Sequence, residues 1–178
     1  PNGDFHVGDL ESLPFKDASF DLVTGFNAFQ YAGNPVIALR EAARVTRPGG
    51  HIVISTWGPS EKMPAASLVT SLRPLLPPPP PGAPGPFALS EEAALRALAT
   101  EAGLKPGEIV DIHGPFHYPD LATALRGLGS SGVATRAEEN SSRAAVDATH
   151  EQALTPFRKP DGSYFADALF RCLIATPG

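Results

Sequence analysis

Apolar side chains fall in two rhythms along this chain. In residues 20–26, Phe20, Leu22, Val23 and Phe26 form a nearly continuous run, the pattern of a strand buried on both faces. A short stretch at 5–8 is an earlier strand candidate. After Asn34-Pro35 the period lengthens, with Val36, Leu39 and Ala43 at i, i+3 and i+7, one face of a helix. Asn34 can cap the free N–H groups at the start of that helix, and Pro35 suits its first position. Arg44 and Arg47 complement its negative end, and Pro48-Gly49-Gly50 predicts a tight turn into a strand at 51–57. Strand, helix, turn and strand in that order make a parallel crossover unit, so the fold class is α/β.

From 58 to 86 the pattern dissolves. Pro77 to Pro81 are successive prolines, which favour an extended polyproline conformation. The segment reads as a surface excursion or stiff lid, with a proline-motif ligand for a partner domain as the rival. Ser90 reads as the cap of a helix with Glu91 and Glu92 in its first turn, Leu95, Leu98 and Ala102 on one face, and Gly103 at its end. A strand at 108–113 follows. Helical patterns at 120–128 and 141–154 are separated by Gly129-Ser130-Ser131-Gly132, and 164–175 reads as one long final strand.

Composition narrows the function classes. At 178 residues with 42% hydrophobic side chains, the chain can bury one core, so 1–178 is read as a single domain. A net charge of -5 gives no broad cationic surface for nucleic acid or anionic lipid. No run of about 18 apolar residues is present to span a bilayer, and the first residues have no signal-peptide pattern, so a cytoplasmic location is expected. The single cysteine, Cys172, sits in an apolar run and reads as core packing. No Cys/His spacing suggests a metal site.

The segment Gly8-Asp9-Leu10-Glu11-Ser12-Leu13-Pro14-Phe15, followed by Asp17-Ala18-Ser19-Phe20-Asp21, resembles the region after the third strand of class I S-adenosylmethionine-dependent methyltransferases. Phe26-Asn27-Ala28-Phe29-Gln30-Tyr31 stands where that family's fourth strand ends, and Arg47-Pro48-Gly49-Gly50 is similar to its turn before strand five. Pro156-Phe157-Arg158 and Pro160-Asp161-Gly162-Ser163-Tyr164 resemble the hairpin entering the last strand in the quinone-biosynthesis subgroup. The resemblance implies a Rossmann-like sheet, mostly parallel with an antiparallel last strand, in the order 3-2-1-4-5-7-6. Here the sheet would be truncated at the N-terminus, because strands one and two and the glycine-rich loop have no counterpart. It also implies S-adenosylmethionine as cofactor.

By the same resemblance Asp9 accepts from the adenine amine and the Leu10 N–H meets a ring nitrogen, a donor and acceptor pair that reads both edges of the base. A turn carboxylate is the plainer reading of Asp9. Phe26, Asn27, Phe29, Gln30 and Tyr31 would surround the methionine end, Asn27 and Gln30 through cofactor contacts or ordinary loop hydrogen bonds. Methyl transfer from a sulfonium needs alignment more than acid–base help. Were a base required, His113, His117 or Tyr31 would be the candidates, against a strand-end or packing role for each.

The expected activity is methyl transfer to a small-molecule acceptor, with 119–155 as a helical substrate cap and these residues inactive by themselves. The alternative is a non-catalytic dimerising or binding domain. Loss of strands one and two would leave strand four with an exposed apolar edge, through which a homodimer could form.

Overall fold

The structure, a computed structural model, describes residues 3–79 and 85–178. Pro80 and Pro81 of the proline tract lie outside the described residues. Its elements in chain order are β1 (Phe20–Phe26), α1 (Pro35–Val45), β2 (Thr46–Trp57), α2 (Ala66–Thr70), α3 (Glu92–Glu101), β3 (Leu104–His113), β4 (Phe116–Tyr118), α4 (Leu121–Gly129), α5 (Gly132–Asn140), α6 (Arg143–Leu154), β5 (Tyr164–Ala166) and β6 (Leu169–Pro177). They fall into two compact units. One comprises residues up to 58 with 87–112 and 170–178; the other comprises 59–86 with 113–169.

The first unit is an α/β sheet in the order β1-β2-β6-β3, with β1 parallel to β2 and β6 antiparallel to it. In the numbering that the resemblance implies, these are strands four, five, seven and six. The expected helix start is present: Asn34 Oδ1 accepts from the N–H groups of Val36 and Ile37, and Pro35 opens α1. Leu39 and Ala42 of α1, Ile52 and Ile54 of β2, Leu95 and Ala99 of α3 and Leu173 of β6 form the buried core. Cys172 is buried, as its apolar surroundings imply.

Several expectations need correction. Residues 5–8 form no strand and are exposed, because no neighbouring strand is there to accept their hydrogen bonds. The strand expected from 51 starts at Thr46, which pairs with Phe20. The next register pair is Leu22 with His51, so residues 47–50 loop out as an irregularity with Gly49 at φ +79°. The cap of α3 is Glu91 rather than Ser90; the Ser90 carbonyl instead accepts from buried Arg171, whose guanidinium also forks onto Asp111. The final strand breaks at Asp167-Ala168, so that β5 pairs with β4 while β6 joins the main sheet. Finally, β1 is not buried on both faces: Phe20, Leu22 and Phe26 are exposed along this edge strand.

The second unit is built on helices. Asp120, Ser131 and Ser142 cap α4, α5 and α6 through side-chain oxygens that accept from Thr123, Ala134 and Ala145 N–H groups. Leu72, Ala134, Ala137 and Val146 pack as a small core, and β4 with β5 forms a two-stranded sheet. The helix α5 was not expected from the small-residue stretch before it, although Ser131 in that stretch is its cap. Among the described residues no helix is long and apolar enough to cross a membrane.

Candidate cofactor site

The segment from Asp9 to Asp17 makes little regular structure of its own. Asp9 and Ser12 form an isolated bridge, the Ser12 N–H donating to the Asp9 carbonyl at 3.1 Å, and Asp9 Oδ1 accepts from the Glu11 N–H at 2.9 Å. This is an Asx turn, the local geometry that an aspartate after an extended segment favours. Among the described residues the second Asp9 oxygen and the Leu10 N–H have no protein hydrogen bond. A carboxylate oxygen and a neighbouring free N–H therefore remain at adjacent positions.

Helix α1 holds the segment in place. Arg44 uses all five of its N–H donors: Nε and Nη2 fork onto Glu41, Nη2 reaches the Leu13 carbonyl, and Nη1 serves the Phe15 carbonyl and Asp17. Glu41 accepts in turn from the Leu13 N–H at 2.9 Å. The hydrogen bond from Arg44, followed by the bond from Leu13, holds the Glu41 carboxyl below its ordinary range despite partial burial. Bonds to Glu41 and Asp17 raise the Arg44 guanidinium. Glu11 closes the other side, accepting from the Asn34 N–H at 2.7 Å. The Phe15 ring meets Phe20 of β1 edge-on, with centroids 5.1 Å apart. In the sequence Arg44 reads only as a cation at a helix end; its i,i+3 spacing from Glu41 is the available sign of a paired group.

At the end of β1 the backbone turns sharply. Asn27 adopts φ +46°, a left-handed conformation that asparagine tolerates better than most residues, and its N–H donates to the Ser55 carbonyl. Gln30 donates to Asn27 Oδ1 at 2.9 Å, so the two expected cofactor amides bond each other. Phe26 and Tyr31 are exposed. Phe29 is buried in the core, directly over Gly25, where an added Cβ would run into the ring. Phe29 is therefore a packing residue of this turn.

Between the Leu10–Phe15 segment, β1 and α1 lies a cavity of about 260 Å³. Leu10, Leu13, Phe15, Leu22, Phe29 and Ala42 are among its walls, and Thr24 is the one lining residue with a polar side chain. Asp9, Phe26, Asn27 and Gln30 do not line it.

The histidine candidates belong to the second unit. His113, the last residue of β3, places Nδ1 2.8 Å from Asp167 Oδ2, a hydrogen-bond partner that the sequence does not reveal because 54 residues separate the two. His117 in β4 packs edge-on to Phe165 at 6.0 Å. Burial pushes the neighbouring Tyr118 hydroxyl up from its ordinary value. No group of His, Cys, Asp and Glu able to hold a metal ion occurs among the described residues.

Residues 1–54 match the family model described as a methyltransferase domain. The chain is 35% identical over 130 residues to the malonyl-[acyl-carrier protein] O-methyltransferase of Dechloromonas aromatica, covering 71% of this chain and 45% of that protein. It is 40% identical over 80 residues to the demethylmenaquinone methyltransferase of Beutenbergia cavernae, covering 42% and 33%. The chain thus spans less than half the length of these curated relatives. Its fold is similar to that of a Bacillus halodurans protein assigned as a methyltransferase, with a TM-score of 0.52 at 16% identity, covering 96% of this chain and 70% of that one. The match of residues 1–54 to a methyltransferase domain agrees with the strand order 4-5-7-6 and with the Asp9 to Phe15 motif, the features on which the chain resembles the class I methyltransferases.

Proposed function

We propose that this chain supplies the adenine-reading side of a methyltransferase that modifies a small-molecule acceptor. The observation that carries this reading is the pairing of an uncommitted Asp9 oxygen with the free Leu10 N–H, on a segment fixed to α1. That donor set fits adenine, whose amine donates and whose ring nitrogen accepts. S-adenosylmethionine, when bound, supplies a methyl group already activated on a sulfonium. Asp9 then accepts from the base, Leu10 N–H donates to it, and Phe26, Asn27 and Gln30 at the end of β1 contact the rest of the cofactor.

The relatives' names supply the first acceptors to test: a malonyl group on acyl carrier protein and a demethylated menaquinone. Residues 119–155 would set the choice between them as an acceptor cap. In the test, the protein from its complete reading frame is incubated with methyl-labelled S-adenosylmethionine and each acceptor. Label in one acceptor and S-adenosylhomocysteine in equal amount are expected. Failure to bind S-adenosylhomocysteine at millimolar concentration would overturn the cofactor reading.

A second reading rests on the exposed edge of β1, where Leu22 and Phe26 are 55% and 70% accessible. In it the edge pairs with a second copy and the chain serves as a dimerising domain. Native mass spectrometry showing only monomer at micromolar concentration would eliminate that reading.

A further inference from the structure

We infer that Arg44, whose donors are all committed to Glu41, Leu13, Phe15 and Asp17, sets the position of Asp9 and Leu10 and thereby the base selectivity of the cofactor site. This rests on the reading of Asp9 as the adenine acceptor. The segment before Asp9 has no regular structure, and the Asp9–Ser12 turn fixes only the local shape. Its placement against the sheet unit comes from α1. Arg44 binds the carbonyls of Leu13 and Phe15 and the carboxylate of Asp17, while Glu41 takes the Leu13 N–H and the remaining arms of the same guanidinium. The Arg44 carbonyl adds a further tie by accepting from the Ala18 N–H at 2.9 Å.

A planar fork with five donors can meet two backbone carbonyls and two carboxylates at once. A lysine ammonium, with three donors on a flexible stem, cannot reproduce that directional set. In addition, Glu11 reaches the Asn34 N–H past Gly33, where an added Cβ would stand 2.9 Å from Glu11 Oε1. The segment is thus tied down twice on the C-terminal side of the Asp9–Leu10 pair, at Glu11 and again from Leu13 to Asp17. Releasing the Arg44 tie lets the pair shift, and hydrogen bonding that depends on direction weakens steeply with such shifts.

Base selectivity separates positioning from simple stability. S-adenosylhomocysteine and its inosine analogue differ at the group that faces Asp9: an amine donor in one, a carbonyl acceptor in the other. In the protein from the complete reading frame, the adenine form is expected to bind at least about tenfold tighter, the equivalent of one good hydrogen bond. Arg44→Lys is expected to bring that ratio below about threefold. Glu41→Gln should lower it less, and serves if Arg44→Lys does not fold. Asp9→Asn should lower or reverse it. An unchanged ratio in folded Arg44→Lys, with Asp9→Asn still altering it, would overturn the positioning role and leave Asp9 intact. An unchanged ratio in Asp9→Asn would overturn the adenine reading and the inference with it.

Discussion

Two parallel neighbours, β1 and β2, carry similarly apolar sequences yet lie in opposite environments. In β2, Ile52 and Ile54 are sealed under α1 and α3, whereas in β1, Leu22 and Phe26 face outwards. Hydrophobicity alone therefore sets strand character; cover sets burial. An interior strand needs neighbours on two edges and packing on two faces, and β1 has a described neighbour on one edge only. The Asp9–Asp17 segment belongs to this open side and is held there by hydrogen bonds to α1 rather than by a strand ladder.

The sharpest way to break the contrast is truncation in each strand. Ile52→Ala should cost about 2–5 kcal/mol, since it empties a fully buried site. Leu22→Ala should change stability by no more than about 0.5 kcal/mol in the same denaturant titration. Comparable losses at the two positions would show that β1 is covered in solution. Next in size, Gly25→Ala should cost about 1–3 kcal/mol by driving a methyl group into Phe29, and the double variant with Phe29→Leu should recover part of it.

A smaller effect concerns pH in the helical unit. Burial, the largest cause, pushes the His150 imidazole below its ordinary value, and its Nδ1 has no hydrogen-bond partner among the described residues. With the folded value depressed, the unfolded chain binds a proton first. Stability is then fully present above about pH 6.5 and falls as pH drops through and below that value. Thermal melts between pH 7.5 and 5.5 should show this decline in the wild type and a flatter profile in His150→Leu. An identical slope in both would assign the decline to other groups.

Local chemistry made much of the fold legible. Asn34-Pro35 marked the start of α1, Phe20 to Phe26 matched β1 residue for residue, and the motif order implied the strand order observed. The misses have physical causes. Stretch 5–8 has apolar residues but no ladder partner. The break at Asp167-Ala168 reflects two sheets competing for one apolar run, which periodicity cannot register. In the candidate site, Asp9, Leu10 and Asn27 were visible as residue types at suitable positions. Arg44 was not, because its five bonds reach acceptors up to 31 positions away.

The central claim is that Asp9 and its clamped segment read the adenine of the cofactor. Isothermal titration of S-adenosylhomocysteine into the protein from the complete reading frame, with and without Asp9→Ala, tests it most directly. The account predicts at least about a tenfold loss of affinity in the variant with an unchanged melting temperature; equal affinity in the two proteins would contradict it.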